Sequence, residues 1–258
     1  MIDMQNQPDF RNIPIDKVGI KGLKYPVTVR DKTQTSQSTV AEISMYVDLP
    51  HQCKGTHMSR FVELLHIFRS QISLESLTSI LEDMKATLGA QSSHIEISFP
   101  YFIEKKSPST QSRGLMDYNC TIVGSSNSDN GADIVLKVAV PVTSVCPCSK
   151  EISDYGAHNQ RGEVLVCSRF DKFIWIEDIV NLVEQSASCD IFSVLKRADE
   201  KFVTEKAYNN PKFVEDIARD VAKQLIEDEN ITWFSVSTEN FESIHNHSAY
   251  AYIEHSRI

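Results

Sequence analysis

The order of the predicted strands and helices is the feature that most constrains the fold, because one order occurs twice. Residues 40–48 and 94–99 alternate apolar and polar side chains, as a half-buried strand does. The first half is predicted to form strands at 25–30, 40–48, 94–99 and 115–123, with helices at 59–68 and 74–88. The second half is predicted to form strands at 133–142, 162–170, 231–237 and 248–253, with helices at 175–186 and from 210 onward. Each half has the order ββααββ, which predicts an α+β fold of two modules, each an antiparallel sheet with its helix pair on one face.

Loops define the expected domain boundaries. Residues 1–22 are polar and show no sustained period, so we expect a flexible N-terminal arm. Residues 124–131 are rich in Ser, Asn, Asp and Gly, which is typical of a loop between modules. We therefore expect the first module at 23–127 and the second at 128–258. The connection at 187–210 is expected to be a long polar loop, and such loops are often functional.

Composition limits the classes of function. The 258 residues are 41% hydrophobic and 24% charged, which is typical of a globular protein with a core. A formal net charge of -9 argues against a nucleic-acid binder, because phosphate backbones select basic surfaces. The apolar run at 134–145 is interrupted by Lys137 and is shorter than the roughly 20 residues of a membrane span. With six cysteines and no signal-peptide pattern, we expect a cytoplasmic protein that has no membrane contact and keeps its thiols reduced.

An anionic small molecule is still compatible with this charge if basic side chains gather locally. The candidates are Lys105 with Lys106 and Arg113, Lys150 with Arg161, Lys196 with Arg197, and Arg60.

The segment 141–161 carries residues that bind metals. Cys146 and Cys148 flank Pro147, and His158 follows them. Thiolate and imidazole are ligands of borderline divalent metals, and a proline holds the residue before it extended. A catalytic metal needs about three protein ligands, so this segment is part of a site rather than a complete one. In isolation, a Cys-Pro-Cys sequence is more often two buried thiols or a redox pair.

The remaining ligands are expected near the end of the chain, in residues 239–247. Glu242, His245 and His247 lie close together there, and on a strand the two histidines would point to the same face. A less favoured interpretation is that they are exposed polar residues near a terminus. Together with the Cys/His segment, this cluster indicates one folded metal centre.

Four longer motifs carry a resemblance to a known family. They are GTHMSRF at 55–61, PVTSVCPCSKEISDYGAHNQR at 141–161, VTEKAYNNPKFVEDI at 203–217 and ENFESIHNHSAYAY at 239–252. Through these four motifs, the chain resembles GTP cyclohydrolase IB over nearly its whole length. GTP cyclohydrolase IB is the sequence-divergent kind of GTP cyclohydrolase I. The resemblance implies the tunnelling fold, with two ββααββ units per chain and a homotetramer whose sites lie at module or subunit interfaces. It also implies conversion of GTP to 7,8-dihydroneopterin triphosphate and formate, the first step toward tetrahydrofolate-type pterins and queuosine-type bases.

The resemblance further implies roles for individual residues. A divalent metal, Zn²⁺ or Mn²⁺ with Fe²⁺ as a third candidate, would be held by Cys146, His158 and Glu200, with His245 as a further or exchanging ligand. The residues implied to act in catalysis are Cys148, Glu242 and His247. Those implied to bind the substrate are Glu215 at the guanine edge and Arg161, Lys150, His57 and Arg60. The type IA enzymes differ, because they use a Cys-x-x-His motif with a distant second cysteine.

Three alternatives stay open from the residues. Glu215 lies in the first turns of a predicted helix, where the helix dipole favours any glutamate. A nitrile-reductase-like enzyme of the same fold would use a catalytic cysteine and NADPH, but its Glu-Ser-Lys-Ser signature does not occur in this sequence. A structural zinc clip formed by Cys146, Cys148 and His158 would fit an interaction protein.

Overall fold

The computed structural model describes residue 5, residues 9–68, residue 74 and residues 76–257. Within these ranges, the elements in chain order are β1 (Ile15–Asp31), β2 (Thr35–Leu49), α1 (Met58–Phe68), α2 (Leu77–Leu88), β3 (Ser92–Lys106), β4 (Arg113–Asn127), β5 (Gly131–Val145), α3 (Pro147–Ile152), β6 (Asn159–Phe170), α4 (Ile176–Ser186), β7 (Cys189–Asp190), α5 (Arg197–Asn209), α6 (Val214–Glu227), β8 (Ile231–Asn240) and β9 (Ala249–Ser256). No described helix is long and apolar enough to cross a lipid bilayer.

The chain divides into two compact units. Unit 1 comprises Met1–Pro100 and Thr121–Leu136, and unit 2 comprises Tyr101–Cys120 and Lys137–Ile258. Strands β3, β4 and β5 therefore contribute residues to both units. This division differs from a simple boundary between residues 127 and 128, because long strands pass from one unit into the other.

Unit 1 is an antiparallel sheet covered by helices. Strand β2 pairs antiparallel with β1 and with β3, and alternate residues of β2 are buried, as the predicted period of two requires. Helix α2 buries Leu77, Ile80, Leu81 and Met84. It ends at Gly89, whose φ of 66° is left-handed, so the predicted C-terminal stop is confirmed. α2 begins at Leu77, later than the predicted start at residue 74. Residues 69–73 and 75 lie outside the described ranges.

Two predicted irregular segments of unit 1 are wrong. The N-terminal arm was expected to extend to residue 22, but β1 already begins at Ile15 and pairs with β2 there. Register shifts between Ile15 and Val18 and between Ile20 and Leu23 break the alternation, which hid this strand in the sequence. The loop expected at 124–131 is shorter, because β4 continues to Asn127 and β5 starts at Gly131.

Unit 2 has the same layered construction. Strand β8 pairs antiparallel with β6 and with β9, and β7 pairs with β5. One face of this sheet, called the inner face here, is buried; its apolar residues include Val140, Val142, Val164, Val166 and Val236. Helices α4 and α6 bury their predicted apolar stripes, which include Ile179, Val183, Ile217, Val221 and Leu225. Helix α6 packs against β8 and β9, so the prediction of antiparallel sheets with helices is confirmed.

The segment 187–210 is not a loop, contrary to expectation. It contains the short strand β7 and helix α5, and Asp199 and Ala207 are the buried residues of that helix. Because so narrow a face is buried, the apolar period that identifies a helix in sequence is nearly absent. The next helix also begins later than predicted from Asn210-Pro211. Its N-cap is Phe213, and the Asp216 side chain accepts a hydrogen bond of 2.9 Å from the Phe213 N–H.

Asp199 fixes the start of helix α5. Its carboxylate accepts hydrogen bonds from the backbone N–H groups of Lys196, Ser109 and Thr110 and from the Thr110 hydroxyl, at 2.6 to 3.0 Å. Burial alone would raise the pKa of this carboxyl, but these hydrogen bonds outweigh it and hold the pKa well below its ordinary value. Asp199 therefore stays ionised at neutral pH and holds α5 against the loop at 107–112.

A buried charge network holds β7 beside helix α4. The Lys105 ammonium donates to Glu184 Oε1 at 2.8 Å, to Asp190 Oδ2 at 3.1 Å and to the Ile191 carbonyl at 2.9 Å. The side chain of Lys105 is only 12% exposed. Burial raises the pKa of Glu184, and Lys105 opposes that rise. Lys105 is therefore a structural cation, and its predicted place in a pocket for an anionic ligand is wrong.

We predict that Lys105→Met lowers the free energy of unfolding by about 3 kcal/mol, because removing one partner leaves buried carboxylates uncompensated. Urea denaturation at neutral pH measures this loss. Lys106→Met is the matched control, since Lys106 is the exposed neighbour on the same strand, and it should change the stability little. Equal stability of the two variants would contradict the structural role.

Candidate functional site

The Cys/His segment connects β5 to β6 and folds back on itself. Cys146 is the N-cap of α3, with φ of -69° and ψ of 118°, so it is extended as the following proline predicts. Its N–H donates to the His158 carbonyl at 3.1 Å. The Ser149 hydroxyl donates to the Cys146 carbonyl at 3.1 Å and accepts from the His158 N–H at 3.2 Å. The backbones of the two predicted ligands, Cys146 and His158, are thus held next to each other. These bonds do not use the thiol or the imidazole of the two residues.

The two thiols of this segment have different surroundings. Cys146 is half-buried, and its Sγ accepts a long hydrogen bond of 3.4 Å from the Ser149 N–H. Cys148 lies within α3 and is exposed.

All six cysteines lie in the described ranges, and all are free thiols. Burial and the neighbouring Asp190 raise the pKa of Cys189 to about 11, so that thiol stays protonated at neutral pH and is a poor metal ligand.

The imidazole of His158 has two polar neighbours on the same ring nitrogen. Its Nδ1 lies 3.0 Å from Gln160 Oε1 and 3.8 Å from Glu242 Oε2. The side chains of His158 and Glu242 are 17% and 14% exposed. The structure therefore brings together one ligand candidate from the Cys/His segment and one catalytic candidate from the C-terminal motif.

Close pairing of β6 and β8 puts Glu242 in this place. Gly162 is opposite Asn240 in the register, and a Cβ at Gly162 would lie 2.5 Å from Asn240 Oδ1. The Phe241 N–H donates to the Arg161 carbonyl at 2.9 Å, which continues the pairing beyond the end of β8. A Cβ at position 162 would also lie 3.0 Å from the Glu239 carbonyl of β8, so the close approach of these two strands favours glycine there.

Helix α5 packs beside the Cys/His segment and carries Glu200. Ala207 and Val203 of α5 pack against Val145, the residue before Cys146. Glu200 is one turn from Val203 on the same side of the helix, and it is exposed. Lys150 of α3 donates to the carbonyl of Tyr208 at 2.6 Å and lies 4.3 Å from the centre of its ring. These contacts place the carboxylate-bearing helix next to both cysteines.

The two C-terminal histidines are not on a strand, contrary to expectation. They lie in the irregular segment 241–248 between β8 and β9. Both are exposed, and the rings of His245 and His247 stack with centroids 4.9 Å apart and planes 15° apart. Their shared direction results from stacking in a turn and not from strand alternation.

The substrate candidates are distributed over both units. In unit 2, Glu215 is exposed in the first turn of α6, and Arg161 is exposed on β6. In unit 1, His57 directly precedes α1, and Arg60 lies in its first turn. The Arg60 Nη1 donates to the Thr87 carbonyl at 3.1 Å, so this guanidinium has a structural partner in its own unit.

The side chains of the candidate metal ligands are not gathered around one point in this structure. In the part of the chain that the structure describes, no group of three or more His, Cys, Asp or Glu side chains could hold a metal ion. Sequence reasoning also gave no role to Gln160 and Ser144, which line the inner face beside His158. The signal that could have identified Gln160 is its position, two residues after His158 at the start of a strand. Residues two apart on a strand lie on the same face, and a polar side chain on a buried face needs a hydrogen-bond partner.

Comparisons with known proteins show the family of this chain. The model of a family described as type I GTP cyclohydrolase folE2 matches residues 1–251. GTP cyclohydrolase FolE2 of Desulfosudis oleivorans is 61% identical over 258 residues, which cover 100% of this chain and 99% of the relative. GTP cyclohydrolase FolE2 of Syntrophobacter fumaroxidans is 59% identical over 257 residues, which cover 100% of both chains.

Solved structures with much lower identity share the fold. A uricase from Bacillus fastidious matches with a TM-score of 0.56 and 8% identity, over 96% of this chain and 94% of that one. Uricase from Arthrobacter globiformis matches with a TM-score of 0.53 and 8% identity, over 94% of this chain and 93% of that one. At this identity the likeness concerns the fold alone, and it confirms the α+β tunnelling fold. The family match and the two full-length relatives together establish that this chain belongs to the type I GTP cyclohydrolase FolE2 family.

Proposed function

We propose that this protein is a metal-dependent GTP cyclohydrolase I, which hydrolyses GTP to 7,8-dihydroneopterin triphosphate and formate in the cytoplasm. In a member of the FolE2 family, the observation that supports this most directly is the backbone hydrogen bond between Cys146 and His158, together with the Glu242 carboxylate 3.8 Å from the His158 imidazole. The product would serve folate-type pterin or queuosine-type base synthesis. A nitrile-reductase-like activity and a structural zinc clip receive no such support.

The residue types at this place fit a divalent metal. Cys146 and His158 would be ligands, Glu200 would supply a carboxylate from the adjacent helix, and His245 would be a further or exchanging ligand. Thiolate and imidazole suit Zn²⁺, whereas carboxylate and imidazole also suit Mn²⁺ and Fe²⁺, so geometry and metal availability decide which ion is used. A divalent metal held there supplies Lewis acidity, which makes hydroxide available near neutral pH.

The reaction also needs proton transfers that the protein supplies. Water adds to C8 of guanine as N7 receives a proton, and cleavage of one C8–N bond opens the imidazole ring to a formamide. Hydrolysis of the second C8–N bond releases formate and a free amine, and the ring-opened ribose then rearranges and closes the new ring. We assign the proton transfer to His247, because an imidazole can both donate and recover a proton. Glu242 beside the ligand candidate His158 and Cys148 on α3 complete the proposed catalytic residues.

Substrate recognition requires a carboxylate for the base and cations for the triphosphate. The N1–H and 2-amino groups of guanine form a paired donor edge, which the carboxylate of Glu215 matches with two hydrogen bonds. Lys150, Arg161, Arg60 and His57 are the proposed phosphate and ribose contacts. The family resemblance implies a homotetramer with sites at interfaces, and Glu215, Arg161, His245 and His247 are exposed in one chain, so we propose that a second subunit completes the site.

We predict that a chelator abolishes formate release from GTP and that Zn²⁺ or Mn²⁺ restores it. Cys146→Ala and His158→Ala should each weaken binding of the metal alone by more than about 100-fold, because losing a ligand costs more than losing a ligand's hydrogen-bond partner. Metal affinity is measured by competition with a chromophoric chelator. Cys53→Ala is the control, since Cys53 is an exposed thiol in unit 1. Full turnover by thoroughly metal-free enzyme would rule out the metal mechanism.

We predict that Glu215→Gln weakens GTP binding by roughly 30- to 1,000-fold, because an amide donor replaces one acceptor oxygen facing a donor, a mismatch of about 2–4 kcal/mol. Metal content and melting temperature should stay nearly unchanged. ITP, which lacks the 2-amino group, should bind the unmodified enzyme poorly and lose less affinity than GTP does on substitution. Isothermal titration measures both ligands.

Glu227→Gln is the matched control for this substitution, because Glu227 is an exposed glutamate at the other end of α6. It should leave both affinities unchanged. Equal losses for GTP and ITP in Glu215→Gln would mean that Glu215 supports the helix through its dipole and does not read the base.

A further inference from the structure

Gln160 lies between the proposed metal ligand His158 and the interior of unit 2. It is 7% exposed, and its neighbour Ser144 on β5 is fully buried. The Gln160 Nε2 donates to Ser144 Oγ at 2.9 Å, and its Oε1 lies 3.0 Å from His158 Nδ1. A buried amide with a partner at both ends has a fixed position, so it can fix the imidazole in turn.

Two arrangements of hydrogens satisfy these three side chains by themselves. Either His158 Nδ1–H donates to Gln160 Oε1, or the amide is reversed, so that Gln160 donates to an unprotonated Nδ1 and Ser144 donates to Gln160. Ser144 does not choose between them, because a hydroxyl both donates and accepts. The choice must come from another group that faces Nδ1.

Glu242 is that group. Its Oε2 lies 3.8 Å from the same Nδ1, and its side chain is 14% exposed. A carboxylate accepts hydrogen bonds and cannot donate them when ionised, so its negative charge favours a proton on Nδ1. If Nδ1 were unprotonated, its lone pair would accept a hydrogen bond from the neutral amide but would be repelled by the negative carboxylate. Gln160 Oε1 and Glu242 Oε2 therefore select the same tautomer.

We propose that Gln160 is a positioning residue that, with Glu242, keeps the proton of His158 on Nδ1 and leaves the lone pair of Nε2 for the metal. This inference rests on the proposed function, because it takes His158 as a ligand. A histidine ligand needs one nitrogen unprotonated, and the hydrogen bond made by the other nitrogen decides which one that is. Gln160 also holds the plane of the ring, because the amide is fixed by Ser144 at its far end.

The first test is the tautomer of His158 in the metal-free protein. Long-range ¹H–¹⁵N NMR of ¹⁵N-histidine-labelled protein, at a pH where His158 is neutral, distinguishes the two nitrogens; His158→Ala assigns the signal. We expect a protonated Nδ1 and an unprotonated Nε2. A protonated Nε2 in the unmodified protein would overturn the proposal directly, without reference to metal or substrate.

The second test is the affinity for Zn²⁺ or Mn²⁺ alone, measured by chelator competition. Gln160→Met keeps the side-chain volume but removes both hydrogen bonds, and we expect metal binding about 10- to 100-fold weaker with a mixture of tautomers. Gln160→Glu keeps an acceptor at Nδ1 and should retain the Nδ1–H tautomer and most of the affinity. Ser144→Ala releases only the far end of the amide and should give a smaller loss. It also serves if Gln160→Met does not fold.

Gln224→Met is the matched control, because Gln224 Nε2 donates to Ser186 Oγ at the same distance of 2.9 Å and to the Asp220 carbonyl at 3.5 Å. It should leave the His158 tautomer and the metal affinity unchanged. If His158→Ala binds metal normally, the ligand assignment fails. If His158→Ala loses metal while Gln160→Met and Ser144→Ala keep the native tautomer and affinity, only the role of Gln160 fails.

Discussion

A single backbone hydrogen bond, from the N–H of Cys146 to the carbonyl oxygen of His158, holds the proposed site together. It joins the end of β5 to the start of β6, so two residues that are separated along the chain become neighbours. Because this bond uses only backbone atoms, the thiol and the imidazole stay available to bind a ligand. The hydroxyl of Ser149 reinforces the same closure from inside the loop, through one bond to each residue.

Around this closure, unit 2 uses buried charges to fix the elements that carry the other candidates. Asp199 anchors helix α5 by its first turn, and the next residue along that helix is Glu200. Lys105 binds Glu184 and Asp190, which holds β7 beside α4, and Lys206 of α5 joins the same network through Asp190. Buried ion pairs contribute less to net stability than they cost when one partner is lost. We infer that their value here lies in the fixed position of α5.

Local pattern alone predicted the elements whose faces are wide and regular, such as α6 with its stripe of Ile217, Val221 and Leu225 and β2 with its alternate buried residues. It failed for α5, because only a narrow face of that helix is buried, and for the start of β1, where register shifts interrupt the alternation. The Cys/His segment could be found from residue types. The contact of His158 with Glu242 could not, because it depends on how β6 pairs with β8, and strand register is a nonlocal property of the fold.

The central claim is that Cys146 and His158 bind one divalent metal. X-ray absorption spectroscopy at the metal edge of the fully loaded enzyme tests it most directly, because it counts sulfur ligands separately from nitrogen and oxygen. We expect one sulfur at about 2.3 Å for Zn²⁺, with the remaining ligands at about 2.0–2.2 Å, and loss of the sulfur signal in Cys146→Ala. A spectrum without sulfur would contradict the claim, and two sulfurs would show that Cys148 is also a ligand.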